Sequence, residues 1–147
     1  MKKLAVVLCI FFFVLMCNLV KAYSETIELP AGEEKLKTVN LNNGDSFFIQ
    51  VTIVGNPINF SISDPDGYAV LNQSASGRMD FEFTATKSGV YNLLFNNEFS
   101  DETKFVTFNY NVQRYIFGFP QEYIILFAIV GLALIAVIIF IALSPKP

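Results

Sequence analysis

Apolar and polar residues alternate along most of the chain between Thr26 and Val112. The stretches SFFIQVTIV (Ser46 to Val54), INFSIS (Ile58 to Ser63), RMDFEFTAT (Arg78 to Thr86), VYNLLFN (Val90 to Asn96) and KFVTFNYNV (Lys104 to Val112) are rich in aromatic and β-branched residues with a period of two. That is the period of a strand with one buried face. In the last stretch Val106, Phe108, Tyr110 and Val112 share the face expected to point inward, opposite Phe105, Thr107, Asn109 and Asn111. Met79, Phe81, Phe83 and Ala85 share one face of theirs. Shorter strands are expected over Thr26 to Leu29, Leu36 to Leu41 and Tyr68 to Leu71. Turn clusters separate these runs: Asn42 to Asp45, Gly55 to Pro57, Asp64 to Gly67, Ser74 to Gly77 and Lys87 to Gly89. No helical period interrupts them. The pattern predicts an all-β fold, an antiparallel, jelly-roll-like β-sandwich of seven or eight strands.

The two ends break the pattern. Lys2 and Lys3 precede an apolar run from Leu4 to Val20, and Val20-Lys21-Ala22 offers a small residue before a cut. Residues 1–22 therefore read as a signal peptide. An uncleaved anchor is the rival reading, because the run approaches spanning length. A lipoprotein site at Cys17 is a third, but the bulky Val14-Leu15-Met16 fits it poorly. At the other end Ile124 to Leu143 carries no charge and no polar side chain, enough to cross a hydrocarbon core of about 30 Å. Tyr115, Phe117, Phe119 and Tyr123 lie ahead of it like an interfacial aromatic belt. The resulting division is an ectodomain over 23–114, a juxtamembrane tether over 115–122, a transmembrane helix over 123–143 and a cytosolic tail over 144–147. An exported start and one following span predict a type I protein, its domain lumenal or extracellular. The span contains Ala128 and Gly131 but no Gly-x-x-x-Gly pair, so self-association through it is permitted and unmarked.

Composition then narrows the function. Between Tyr23 and Arg114 twelve acidic side chains face six basic ones, which excludes nucleic acid as a natural partner. The only cysteines, Cys9 and Cys17, lie in the signal, so the mature chain can form no disulfide. It also has no histidine. Without imidazole or thiol no catalytic nucleophile pair is available, and no cofactor is expected. Asp80 and Glu82 share a strand face and could serve as an acid–base pair, but a solvated face opposite Phe81 explains them better. Asp64-Pro-Asp-Gly67 begins like a calcium loop without its later ligands, so a proline turn is preferred and no metal site is assigned.

One resemblance follows from the order of these stretches. A glycine turn and FFIQVTI lead to FSISDPDG and then to FEFTATKSGVYNLLFNNEFSDETKFVTFNYNV. This resembles the GOLD (Golgi-dynamics) β-sandwich domain of the small type I cargo receptors of the early secretory pathway. It covers Leu36 to Val112, and the order of signal, sandwich and terminal span matches as well. Pre-peptidase β-sandwich modules of secreted proteases share the SGxYxLxF strand. The resemblance implies a non-enzymatic domain that binds other proteins or cargo on the lumenal or external face. The chain departs from the family in lacking a cysteine pair in the sandwich, a coiled-coil stretch after it and aromatic or basic tail signals, Ser-Pro-Lys-Pro being all that follows the span. A structural accessory subunit of a membrane or cell-surface assembly is the alternative function.

Three places are candidate sites. The break FNNEFSDET, between two patterned strands, is read as a corner in which Asn, Asp and Ser bond their own backbone and Asn96 can adopt positive φ. That structural role suffices for the break; the functional alternative is a partner-binding loop of Asn96, Asn97, Glu98, Phe99, Asp101 and Glu102 centred on Phe99. Asn72, expected in a polar loop, and Asn59, expected in a strand, are glycosylation acceptors by pattern.

Overall fold

A computed structural model of the chain describes residues 22–143; the signal-like residues 1–21 and the tail 144–147 lie outside them. The described chain divides after Arg114 into two compact units. The first holds six strands: β1 (Tyr23–Leu29), β2 (Glu34–Leu41), β3 (Ser46–Ser63), β4 (Ala69–Thr84), β5 (Gly89–Asn96) and β6 (Lys104–Gln113).

All pairings are antiparallel, and β3 organises them. Its first half, Ser46 to Val54, pairs with β6, while its second half, Asn59 to Ser63, pairs with β5. Strand β4 follows β3 through both halves, with a register shift between Ile53↔Gly77 and Ile58↔Ala75 and a second between Ile62↔Leu71 and Ser63↔Ala69. The first makes the bend. There Val54 to Pro57 lie opposite the single residue Ser76, and the long hairpin bends from one layer into the other. One layer is thus β1, β6, the first half of β3 and the second half of β4. The other is β2, β5, the second half of β3 and the first half of β4. Two four-stranded layers sharing a bent hairpin form a jelly roll.

This corrects two expectations. Gly55 to Pro57 and Ser74 to Gly77 are not chain reversals but opposite sides of one bend within long strands. Gly55 (φ 112°) and Gly77 (φ 62°) supply the backbone angles that an L residue resists. Both are turn residues by chemistry; only their mutual pairing turns two short strands into one.

The core lies between the layers. Phe95 of one layer meets Phe108 of the other at a ring separation of 5.1 Å, and Phe83 meets Tyr91 at 5.5 Å. Such pairs add about 0.5–1.5 kcal/mol each to the burial of their surface. Val106 and Phe108 are buried, and Tyr110 and Val112 pack partly against the core, as the alternation predicts. Met79, Phe81 and Phe83 are half-buried at the edge of their layer.

The second unit begins with a small hairpin, β7 (Tyr115–Ile116) and β8 (Phe119–Pro120), joined through Phe117 and Gly118. The helix α1 (Gln121–Leu143) follows directly, with Glu122 in its first turn. Among the described helices it is the one long and apolar enough to cross a membrane.

Candidate functional site: the Phe99 end of the sandwich

The loop between β5 and β6 and the loop between β1 and β2 meet at one end of the sandwich, and Asn97 joins them. Its backbone N–H donates to Glu33 O (2.9 Å), while its carbonyl accepts from Gly32 N and Ser100 N (both 3.2 Å). Its side-chain amide donates to Leu29 O (3.2 Å), Pro30 O (2.9 Å) and Glu102 O (2.8 Å). Asn97 is 0 % exposed. A short polar side chain thus gathers three carbonyls at the sandwich end, of which Pro30 O also accepts from Glu33 N (3.3 Å).

Its remaining oxygen holds an unusual neighbour. Lys104, only 1 % exposed, donates from Nζ to Asn97 Oδ1 (2.6 Å) and to Pro57 O (2.9 Å). The ring of Phe99 covers the ammonium at 5.2 Å. No carboxylate approaches this cation within ion-pair distance among the described residues; carbonyl oxygens and an aromatic face stabilise it instead. Pattern reading missed Lys104, although its position held a signal. It has the same parity as Val106 and Phe108, and a charge at an inward strand position must find its partners inside.

The predicted loop residues therefore separate. Asn97 faces no partner, since its whole hydrogen-bonding capacity is internal. Asn96 is half-buried, and its amide reaches Glu98 (2.7 Å) and Glu34 (3.4 Å). It does not take positive φ; Phe117 is the non-glycine residue that does among the described residues. Phe99 is 56 % exposed, with Glu98, Asp101 and Glu102 exposed around it. Glu102 also accepts from Asn56 Nδ2 (2.9 Å), tying the loop to the bend in β3. At the same end Val54 and Phe105 form an exposed cross-strand pair on the outer face of their layer. Neither was singled out from sequence, because an apolar residue on the outer face keeps the period unbroken.

The other candidates lie elsewhere. Asp80 and Glu82 are exposed on an edge strand, where Asp80 accepts from Gln50 Nε2 (2.8 Å). Asp64 is the anchor of its turn. One carboxylate oxygen accepts from the N–H groups of Asp66 (3.0 Å) and Tyr68 (2.8 Å), and the other meets Lys87 Nζ at 2.8 Å. The Lys87 ammonium, followed by those backbone donors, holds the Asp64 carboxyl below its ordinary range, and the two aspartates raise the Lys87 pKa in turn. No group of potential metal ligands gathers among the described residues. Asn59 and Asn72 are both exposed, but Asn72 lies within β4, paired with Ser61, and not in a loop. The polar run LNQS pairs as an edge strand, which tolerates polar residues on both faces. Between β1 and β2 an open cleft of about 250 Å³ is lined by Tyr23, Phe108 and Tyr110 and by the Glu25–Lys37 ion pair at 2.6 Å.

A jelly-roll sandwich and, among the described residues, one apolar helix long enough to cross a membrane define the class: a β-sandwich protein with a candidate membrane span. The chain belongs to the emp24/gp25L/p24 (GOLD) family, whose profile matches residues 24–118. Human transmembrane emp24 domain-containing protein 7 is 29% identical over 101 residues, 66% of this chain. The match spans only 45% of that relative's length. Among solved structures, the pre-peptidase C-terminal domain of Bacillus anthracis collagenase superposes with a TM-score of 0.50 at 17% identity, covering 62% of this chain and 88% of that one. The Yersinia pseudotuberculosis-derived mitogen does so at 0.50 and 10%, covering 67% and 91%. At such identities these two likenesses concern the fold alone.

Proposed function

We propose that the chain is a type I membrane protein whose sandwich, held outside the cytosol, recognises other exported proteins without catalysis. The observation that carries this is the Phe99 end. Three large apolar side chains, Val54, Phe99 and Phe105, stay exposed there, on a frame made rigid by Asn97 and Lys104. Glu98, Asp101 and Glu102 ring Phe99 as a polar rim. An aromatic anchor on a fixed base, surrounded by polar groups, is the usual anatomy of a protein-binding hot spot. Family membership supports the same reading, and the acidic balance of the sandwich favours partners of basic or mixed charge.

The test is capture by the full chain in detergent or lipid discs, with Phe99→Ser and Phe105→Ser as variants. Several transient exported partners, lost with the variants, are expected. One stoichiometric membrane partner retained by both variants would replace this reading with an accessory subunit.

A further inference from the structure

The hairpin ahead of the helix is built around an anomaly. Ile116 pairs with Phe119, and the two residues between them, Phe117 (φ 53°) and Gly118 (φ 79°), both have positive φ. A two-residue turn of this kind favours Asn or Asp followed by Gly, because left-handed backbone is unfavourable for bulky residues. Phenylalanine is therefore not there for the turn. Its ring is 94 % exposed, and Tyr115, Ile116, Phe119 and Tyr123 around it are exposed as well. Nothing within Tyr115 to Pro120 is charged; the nearest charges are Arg114 and Glu122.

The position of the hairpin says what covers it. The helix α1 begins at Gln121, directly after β8. Two-residue strands reach only about 7 Å from that end. The headgroup layer between a bilayer's hydrocarbon and water is about 5–8 Å deep on each side. Such a hairpin matches that layer, which favours aromatic side chains with one wet edge. Pairing between β7 and β8, together with Pro120, which has no N–H, also reduces the open backbone groups carried into it.

We propose that Tyr115 to Pro120 is a membrane-interface anchor, with Phe117 as a wedge inserted among lipid headgroups beside the outer end of α1. It fixes the depth of the span and replaces a free tether by a docked one. The inference rests on α1 crossing the bilayer but not on the partner-binding role of the Phe99 end.

The sequence contains no tryptophan, so a single introduced indole reports without background. Full-length Phe117→Trp, Phe99→Trp and Leu132→Trp would each be placed in phosphatidylcholine vesicles, with and without lipids brominated at shallow or deep carbons. For Phe117→Trp the expected result is blue-shifted emission, at least about 3-fold weaker quenching by aqueous iodide than for Phe99→Trp, and stronger quenching by shallow than by deep bromine. Iodide quenching equal to that of Phe99→Trp would overturn the proposal, since the tip would then be in water. Protection from iodide without bromine quenching would also overturn it, showing that protein covers the tip. Leu132→Trp separately reports the span. If deep bromine leaves it unquenched, the spanning premise fails and takes the anchor with it.

Discussion

Two neighbouring residues of one loop, Asn97 and Phe99, have opposite roles. Asn97→Ala leaves the carbonyls of Leu29, Pro30 and Glu102 without their amide donor and removes one acceptor from the buried Lys104 ammonium. The expected cost is about 3 kcal/mol or more, a fall in Tm of more than roughly 10 °C for a domain of this size. Phe99→Ala removes an exposed ring and one cation–π contact, a stability cost of about 1 kcal/mol. Thermal unfolding of both variants tests the division: similar losses would make Phe99 a plug of the sandwich end and not an exposed anchor. Gly89 is the second informative position. Its φ is +143°, and a Cβ there would lie 2.8 Å from Pro65 Cγ. Gly89→Ala should cost about 1–3 kcal/mol, measurable by urea unfolding. The glycine is legible in the sequence as a turn signal, but its collision with Pro65 is not, because it joins two turns distant in the chain.

At the scale of elements, the turn between β3 and β4 and the turn before β5 are held together by Asp64 and Lys87. Asp64 has a depressed pKa in the folded state, so folding favours its ionised form. The stability it contributes is complete above the ordinary carboxyl pKa of about 4 and is lost as pH falls through the lower folded value. Asp64→Asn keeps an oxygen for the Asp66 and Tyr68 N–H groups while removing the charge. The variant is expected to be less stable than the parent at pH 7, and the gap should close in urea titrations below about pH 4. A gap independent of pH would show that packing, not the ion pair, distinguishes the two. The bend in β3 and β4 was misread from sequence for a related reason. Each glycine cluster read alone is a chain reversal, and only when Ile53↔Gly77 and Ile58↔Ala75 are paired do the two clusters become one corner.

For the molecule as a whole, the same ion pairs bear on metal dependence. Lys87 already bonds both Asp64 and Asp66, so a cation at this turn would have to displace it. Chelation by EDTA should therefore shift the melting temperature of the full chain by less than about 5 °C, roughly 1 kcal/mol. A larger shift in differential scanning calorimetry would assign the turn a cation. The family profile begins at residue 24 and ends at 118, which places the sandwich from its second residue onward inside the matched region and all of α1 outside it. The match thus ends within the hairpin, after Gly118, and the helix is read from the physical chemistry of this chain.

The order of apolar and polar side chains was enough to determine the strand faces, the all-β class and the apolar helix, because each depends on a local period: two for a pleated strand, an unbroken apolar run for a spanning helix. Val106, Phe108 and the half-buried Phe81 and Phe83 lie where that period places them. Only tertiary structure decided that Gly55 and Gly77 make one corner, that Lys104 is a buried cation and that Asn97 is a clasp while Phe99 is a surface. These outcomes depend on partners far apart in sequence, such as Leu29 with Asn97 and Pro57 with Lys104. A one-dimensional pattern shows which side chain turns inward; it does not show what waits there to satisfy it.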